Sequence, residues 1–310
     1  MPDRTTVVVL AGGTGGAKLA RGMLDVVGDE LCVIANTGDD VEIYRSHVSP
    51  DPDLVTFWLA DLIDERGWGL RDDTFATMDG LRAIGEDVWF NLGDRDLAIC
   101  LKRAEELAGG ARLTECLRGL GRALGVSALV LPMSDRPVRT AVRARGTWFP
   151  FQEFMIRERA EGPVEDVRFD GASDARPSPE VLEAIRRARA IVIGPSNPVI
   201  SIGPILAVPG VREALRESGA PVVAVSPIVS GEVVKGPTAA FMSWAGASLD
   251  AAGIASMYDG LIDGLVTDER ADLDLPSLVT PTLLSNAEER ARVAREVLQF
   301  ALGLGAARAS

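Results

Sequence analysis

A glycine-rich run is the first feature of this sequence that could carry chemistry. Gly-Gly-Thr-Gly-Gly-Ala-Lys occupies residues 12–18, between a β-branched apolar run and a stretch with helical apolar spacing. Backbone N–H groups and the helix dipole favour an anion at such a strand-to-helix turn, and phosphate or pyrophosphate is the natural ligand. The spacing matches neither GxGxxG nor GxxxxGK[ST], so a tight turn without a ligand is the alternative interpretation.

Aspartates follow the second predicted strand. Asp39 lies in Asn-Thr-Gly-Asp-Asp at residues 36–40, and Asp51 and Asp53 lie in Ser-Pro-Asp-Pro-Asp at residues 49–53. Because the carboxyl ends of neighbouring parallel strands form a ligand crevice, we expect these carboxylates beside a phosphate held by the first loop. Carboxylates that face phosphate are typical of Mg²⁺ sites, which need no histidine. The alternative is that they only cap turns and helices.

Three further segments are candidates for binding. Gly-Asp-Arg-Asp at residues 93–96 places Arg95 at a predicted helix start, where it could pair with phosphate or form an ordinary surface ion pair. Two proline-bearing loops, residues 194–204 and 226–231, follow predicted strands and carry Ser196, Asn197 and Ser201. Such loops could read a base edge or bind phosphate, or they are only stiff connections. Lys235 could add a positive charge.

A doubly wound α/β core has to position these residues. Strands at residues 6–10 and 31–35, joined by a helix at 18–27, predict a compact β-α-β unit with a right-handed crossover. Helical patterns without β-branched runs then follow at residues 54–65, 73–84, 95–107 and 113–124. We therefore predict a Rossmann-like core with a mostly parallel sheet, formed by residues 1–48 and 126–310, and a small inserted helical subdomain at residues 49–125.

The second part of the core is predicted from shorter patterns. The expected strands are residues 128–131, 140–144, 149–154, 167–169, 191–194, 222–225, 261–266 and 277–280. The expected helices are residues 180–190, 211–217 and 287–302.

Composition excludes several classes of protein. With 45 acidic and 32 basic residues, the formal net charge of −13 disfavours binding to nucleic acid or to anionic lipid. Three scattered cysteines without a CxxC pair indicate reduced thiols, and the chain has neither a signal-peptide pattern nor an 18-residue apolar run. We expect a cytoplasmic protein. The single histidine, His47, disfavours Ser-His-Asp hydrolases and multi-histidine metal sites, which leaves carboxylates, backbone amides and an oxygen-liganded cation.

Nine segments in register resemble the 2-phospho-L-lactate transferase family, whose actinobacterial branch is the phosphoenolpyruvate transferase of coenzyme F420 biosynthesis. They are residues 12–18, 36–40, 49–53, Trp-Gly at 68–69 with Asp-Thr-Phe at 73–75, 93–96, Pro-Met-Ser-Asp at 132–135, 194–198, 201–204 and 226–228. One such motif would be weak, but nine in order are specific.

The resemblance implies a homodimer and a Mg²⁺-dependent transfer. A phospho-lactyl or phospho-enolpyruvyl group would pass from a guanosine diphosphate conjugate to the ribityl hydroxyl of the deazaflavin Fo, with release of GMP. Asp39, Asp51 and Asp53 would be catalytic, and Asp39 and Asp51 would hold the metal. The substrate-binding residues that it implies are Gly12, Gly13, Thr14, Gly15, Gly16, Lys18, Asn36, Asp53, Arg95, Ser196, Asn197, Ser226 and Ile228.

One departure and two alternative functions accompany this resemblance. Residues 41–48 lack the tryptophan expected shortly after the Asp-Asp pair, and Tyr44 or His47 could substitute for it. A YvcK-type regulatory protein, which holds a nucleotide or nucleotide sugar without turnover, shares the glycine loop and the Asn-x-Gly-Asp-Asp element. A nicotinamide-dependent oxidoreductase fits less well, because the fingerprint is imperfect and only Asp39 or Asp40 offers a strand-end acid.

Overall fold

The computed structural model describes residues 5–233 and 236–309. Lys235 lies outside the described residues. The strands are β1 (Thr6–Ala11), β2 (Leu31–Ala35), β3 (Val41–Ile43), β4 (Ser46–Val48), β5 (Leu129–Pro132), β6 (Arg139–Ala144), β7 (Thr147–Pro150), β8 (Asp166–Asp170), β9 (Ala188–Ile193), β10 (Val222–Val225), β11 (Ile228–Val229), β12 (Glu232–Val233), β13 (Gly264–Thr267) and β14 (Ser277–Val279).

The helices alternate with these strands over much of the chain. They are α1 (Gly13–Val27), α2 (Pro50–Leu59), α3 (Ala76–Ala83), α4 (Asp94–Ala108), α5 (Leu113–Ala123), α6 (Phe151–Ile156), α7 (Pro179–Arg186), α8 (Gly203–Ala207), α9 (Val211–Glu217), α10 (Thr238–Trp244), α11 (Ala251–Met257) and α12 (Ala287–Ala309). A single π-helical turn, Pro198–Ile202, leads into α8.

Within the described residues, seven strands form a parallel sheet in the order β14-β13-β10-β9-β1-β2-β5. Its inner strands are continuous aliphatic runs because helices cover both faces. Val7 and Val9 pack on one face with α1, α2 and α12, and Val8 and Leu10 pack on the other with α7, α8, α9 and α11. The predicted Rossmann-like α/β fold is confirmed.

The strand order reverses beside β1. From β1 the chain builds outward through β2 to β5, and it then returns to the other side of β1 and builds outward from β9 to β14. In a doubly wound sheet, ligands bind outside the carboxyl ends of the strands at such a switch point. The loops that follow β1 and β9, residues 12–16 and 194–198, therefore meet where a ligand is expected.

The segment between β2 and β5 is mainly helical. Its first helix, α2, packs on the main sheet through Val55, Trp58 and Leu59, whereas Met78 of α3 and Leu97 of α4 belong to a separate small apolar cluster. The proposed division at residues 49 and 125 stays a prediction.

Some predicted elements are wrong in kind or in extent. The strand expected at 149–154 ends at Pro150, and Phe151–Ile156 is a helix because Phe151 and Phe154, one turn apart, pack into a cluster with Phe241. The helix expected at 54–65 begins at Pro50, a residue that suits a first helical turn, and ends at Leu59. The helix expected at 180–190 ends at Arg186, and β9 begins at Ala188.

A search of the described residues for membrane spans finds that no single helix is long and apolar enough. One bent pair, residues 198–207 with 211–217, passes on length and composition only.

Candidate functional site

The glycine loop packs closely against the loop that follows β9, with no room for a side chain between them. A Cβ atom on Gly15 would lie 2.0 Å from the carbonyl oxygen of Pro195, and one on Gly12 would lie 2.7 Å from Cβ of Ser201. Only glycine permits this approach without moving a backbone. The glycines thus bring the N-terminus of α1 and the 195–201 segment together at the switch point.

Asp51 reaches the same place from α2. Its Oδ1 accepts a hydrogen bond from Gly13 N–H at 2.7 Å, and its Oδ2 accepts one from the Asn36 side-chain amide at 2.9 Å. Burial is the largest influence on Asp51 and raises its pKa to about 6, although both hydrogen bonds lower it. The structure therefore joins three of the predicted motifs, at residues 12–18, 36–40 and 49–53, through one buried carboxylate.

Asp39 lies nearby with an unused oxygen. Its side chain is buried, and Oδ1 has no hydrogen-bond partner among the described residues. Burial, with the negative charges of Asp51 and Asp40, raises the pKa of Asp39 well above its usual range. Buried charges in proteins are normally paired or bound to metal. Two adjacent carboxylates, one of which has an unsatisfied oxygen, are a donor set that fits a hard cation such as Mg²⁺.

Asp53 is held differently from the other two carboxylates. The guanidinium of Arg103 from α4 forks onto both of its oxygens, with Nη1 at 3.0 Å from Oδ2, and also donates to the His47 carbonyl. Both side chains are buried. The ligand atoms of Asp53, Asp96 and Cys100 come close enough for a metal site, but Arg103 already supplies the positive charge there.

Asp96 is a half-buried carboxylate close to Asp53. Burial and the charge of Asp53 raise its pKa to about 7. Asp96, Cys100 and Arg103 recur at spacings of four and three along α4, which places them on one face of that helix.

The glycine-loop cavity, of about 340 Å³, opens beside the glycine loop and Asp39. Its lining includes the predicted residues Gly12, Gly13, Thr14, Gly15, Lys18, Asp39, Ser196, Asn197, Ser201 and Ser226. The Ser196 hydroxyl is buried and has no partner in the part of the chain that the structure describes. The Lys18 ammonium lies 5.7 Å from the ring centroid of Trp58.

Two of the polar side chains that line this cavity form hydrogen bonds that stabilise their own loops. Asn197 accepts from the N–H groups of Val199 and Ile200 at 2.9 and 3.2 Å, and it donates to the Thr238 hydroxyl at 3.3 Å. The Ser226 hydroxyl accepts from Ile228 N–H at 3.2 Å. The two side chains therefore stabilise the loops that form the cavity wall.

The aromatic cavity, of about 450 Å³, lies on the other side of Asp51. Asp51, Asp53 and Asp96 line it together with a group of aromatic side chains: Phe57, Trp68, Phe75, Trp89 and Phe90. The Arg66 guanidinium stacks 4.3 Å from the Trp68 ring centroid. The motifs at residues 49–53, 68–69, 73–75 and 93–96 therefore converge on one cavity.

The structure does not place every predicted residue in a cavity wall. The Arg95 side chain donates to the Arg71 carbonyl at 2.9 Å and is absent from the described residues that line these cavities. Gly16 lies below the surface, where a Cβ would be 2.7 Å from Ser196 Oγ, and Ile228 is buried. The Asn36 side-chain amide donates to Asp51 and so holds that carboxylate in place.

Residues 41–48 form the β3–β4 hairpin beside a third cavity, of about 340 Å³. Tyr44 accepts from Phe90 N–H at 3.3 Å, and His47 is held between Asp40 at 3.1 Å and Glu42 at 3.3 Å. Burial alone would lower the pKa of His47, but those two carboxylates outweigh it and raise the pKa to about 8. Neither side chain lines the described cavities, whose aromatic walls near the hairpin come from Trp89 and Trp148.

Some residues of the site carry no clear sequence signal. Arg103 meets Asp53 across fifty positions of sequence, and only its helical spacing from Asp96 indicates a shared face. Thr282 follows the edge strand β14 and lines the glycine-loop cavity, and nothing in its neighbourhood in sequence marks it.

Comparison with known proteins identifies the family of this chain. The family described as 2-phospho-L-lactate transferase CofD matches residues 7–286. The chain is 38% identical over 303 residues to a 2-phospho-L-lactate transferase of Methanosarcina mazei, covering 94% of this chain and 99% of that one. It is 40% identical over 312 residues to a phosphoenolpyruvate transferase of Streptomyces coelicolor, covering 95% and 98% of the two chains.

A solved structure supports the fold. A UPF0052 family member from Bacillus halodurans superposes with a TM-score of 0.62 at 20% identity, covering 96% of this chain and 99% of that one. The family match spans the glycine loop, the aspartates and both major cavities, and the relatives match over nearly their whole length. This chain therefore belongs to the 2-phospho-L-lactate transferase (CofD) family of enzymes.

Proposed function

We propose that the protein transfers a phospho-enolpyruvyl or phospho-lactyl group from a guanosine diphosphate conjugate to the ribityl hydroxyl of Fo in coenzyme F420 biosynthesis. The observation that carries the proposal is the position of Asp51. This residue lines the aromatic cavity, and its carboxylate binds the N–H of Gly13, which lines the glycine-loop cavity. One carboxylate thus lies between a cavity suited to a phosphorylated donor and a cavity suited to a flat aromatic acceptor.

The glycine-loop cavity suits the donor. The N-terminus of the 15-residue helix α1 and the Ser196 hydroxyl, which has no partner among the described residues, offer hydrogen-bond donors to diphosphate oxygens, and Lys18 adds positive charge. The cavity continues past Ser226 and Pro227 to Thr238, so the nucleoside extends along the carboxyl edge of the sheet.

The aromatic cavity suits the acceptor. Its aromatic side chains match the ring system of a deazaflavin, and Asp51 and Asp53 lie in its wall where the ribityl chain would end. The terminal hydroxyl oxygen attacks the distal phosphorus, the bond from that phosphorus to the oxygen of GMP breaks, and GMP leaves with the electron pair.

The aspartates divide the remaining tasks. Arg103 engages both oxygens of Asp53, so Asp53 is a positioning residue, and the Asp39–Asp51 pair is left for the proton and the cation. The hydroxyl proton passes to a carboxylate of this pair. Asp39 and Asp51 would hold Mg²⁺, which supplies charge neutralisation at the diphosphate oxygens. The homodimer and the cytoplasmic location stay predictions.

The direct test combines the purified protein with Fo, Mg²⁺ and each donor. We expect release of GMP and a deazaflavin product heavier by the transferred group, measured by chromatography and mass spectrometry. Comparing the two donors in competition identifies the three-carbon group. No product with either donor at saturating Mg²⁺, together with tight binding of a UDP-sugar and no affinity for Fo, would establish the YvcK-type alternative.

A tryptophan pair tests the location of the acceptor. Trp68→Ala removes one wall of the aromatic cavity, and Trp244→Ala removes a partly exposed tryptophan that none of the described cavities includes. We expect Trp68→Ala to raise the KM for Fo about three- to tenfold, the usual size of an aromatic contact, without changing GDP binding. Equal KM values for Fo in the two variants would place the acceptor elsewhere.

A further inference from the structure

The segment that follows β14 brings an unused hydroxyl into the glycine-loop cavity. Thr282 is 3% exposed and lines the cavity with Leu283 and Leu284, and its Oγ1 has no hydrogen-bond partner among residues 5–233 and 236–309. A buried hydroxyl without a partner lowers stability, so its presence in a cavity wall indicates a contact with a ligand.

Contacts with α12 hold this segment in place on its N-terminal side. The Thr280 hydroxyl donates to Glu296 at 2.6 Å and accepts from Arg292 at 3.0 Å, and Arg292 also donates to the Pro281 carbonyl at 2.6 Å. These contacts attach the backbone immediately before Thr282 to the long helix α12.

The C-terminal side of the segment is anchored to the same helix. Ser285 N–H donates to the Glu289 carboxylate at 2.8 Å, and Glu289 N–H donates to Asn286 at 2.9 Å. With both sides held, the segment loses little conformational freedom when it binds a ligand, which favours affinity.

Thr282 enters the cavity from the segment that follows the edge strand β14, whereas the glycine loop follows β1. The sheet places β14 four positions from β1, which corresponds to roughly 19 Å at about 4.8 Å per strand, and the segment folds back to line the cavity. When a diphosphate occupies the glycine loop, the lining that is left for the nucleoside includes Pro227, Thr282 and Leu283.

We propose that Thr282 reads the base of the nucleoside diphosphate bound in the glycine-loop cavity. This inference rests on the proposed function, which places the diphosphate on the glycine loop. Leu283, Pro227 and Val229 line the same cavity and supply apolar surface for the faces of a base, and the Thr282 hydroxyl donates to or accepts from its edge.

The test is calorimetric binding of GDP and of inorganic pyrophosphate, each with Mg²⁺, to four proteins. Thr282→Val removes the hydroxyl at constant shape, Thr282→Ser retains it, and Thr114→Val removes another buried, unpartnered threonine hydroxyl that lies in α5 outside the described cavities. We expect Thr282→Val to weaken GDP binding about tenfold with pyrophosphate unchanged, as for one lost hydrogen bond. Thr282→Ser and Thr114→Val should bind both ligands as the wild type does.

Thermal unfolding of the ligand-free proteins separates a reading role from a structural one. The Thr282 hydroxyl has no partner to lose in the described structure, so Thr282→Val should not lower the melting temperature. Wild-type affinity of Thr282→Val for GDP, or an equal loss of GDP and pyrophosphate binding, overturns the inference and leaves the proposed function standing. Failure of the wild type to bind GDP while it binds pyrophosphate overturns the guanosine donor itself.

Discussion

Replacement of Asp51 by asparagine should change how the stability of the metal-free protein depends on pH. Asp51 is buried between two cavities and accepts hydrogen bonds from Gly13 and Asn36. Burial raises its pKa from 3.8 to about 6. The folded protein therefore binds a proton at this carboxyl more tightly than the unfolded chain does.

The sign and the size of the effect follow from linkage between protonation and folding. A carboxyl with a raised pKa contributes stability that is fully present below about pH 3.8 and is lost as the pH rises through about 6. At about 1.4 kcal/mol per pKa unit, this loss is about 3 kcal/mol. The amide of Asp51→Asn does not titrate, so the variant lacks this loss. The pKa of Asp39 is also lower in this variant than in the wild type, because the negative charge of Asp51 helps to raise the pKa of Asp39.

Urea unfolding followed by tryptophan fluorescence, with a chelator present and at pH values from 4 to 7, measures this change. We expect the free energy of unfolding of Asp51→Asn, relative to the wild type, to rise by about 2 to 2.5 kcal/mol across that range. The amide also loses one hydrogen bond, but that offset is the same at every pH. At pH 7, Mg²⁺ should stabilise the wild type and have no such effect on the variant.

Asp250→Asn is the matched control, because Asp250 caps α11 and its pKa is lowered by the Gly253 N–H. The stability that Asp250 contributes is present above its unfolded pKa and is lost only as the pH falls below it, so its difference curve should be nearly flat between pH 4 and 7. If Asp51→Asn and the wild type give parallel curves within about 1 kcal/mol between pH 4 and 7, burial does not raise the pKa of Asp51 and the reasoning is refuted.

Two further variants test the ion pair and the glycine loop of the site. Arg103→Met leaves Asp53 buried without its cation and should lower the free energy of unfolding, measured in urea, by about 3–5 kcal/mol. The double variant Arg103→Met with Asp53→Asn should recover most of that loss, and an Arg103→Met variant as stable as the wild type contradicts the role of this ion pair. Gly15→Ala would place Cβ 2.0 Å from the Pro195 carbonyl oxygen, so the loop must move and transferase activity should fall about a hundredfold. Gly119→Ala, at a position with open space around it, is the control, and equal activities in these two variants would show that the close approach is unimportant.

Local patterns determined the elements whose neighbours in sequence are also their neighbours in space. The continuous aliphatic runs at β1, β2, β9 and β10 predict strands that helices cover on both faces, and the structure has them in the parallel sheet. The strand predicted at residues 149–154 failed because Phe151 and Phe154 pack with Phe241, a contact that no local pattern records.

The residue types of the candidate site were also legible from the sequence. The glycine loop and Asp39 follow strands and Asp51 and Asp53 lie ten or more residues further on, and the structure brings them together near the switch point beside β1. The resemblance to the transferase family rests on these same residues, because glycine and aspartate at a strand end are visible without any knowledge of packing.

The tertiary structure alone decided which atoms remain available for chemistry. Arg103 occupies both oxygens of Asp53, Asn197 is used within its own loop, and Arg95 bonds to a backbone carbonyl. Thr282 enters the site from an edge strand, with no signal in its neighbouring residues. Sequence by itself determined the fold and the chemical types at the site, since those depend on local spacing. Hydrogen bonds between residues tens of positions apart form only once the sheet is assembled, so packing decided the partners and the raised pKa values.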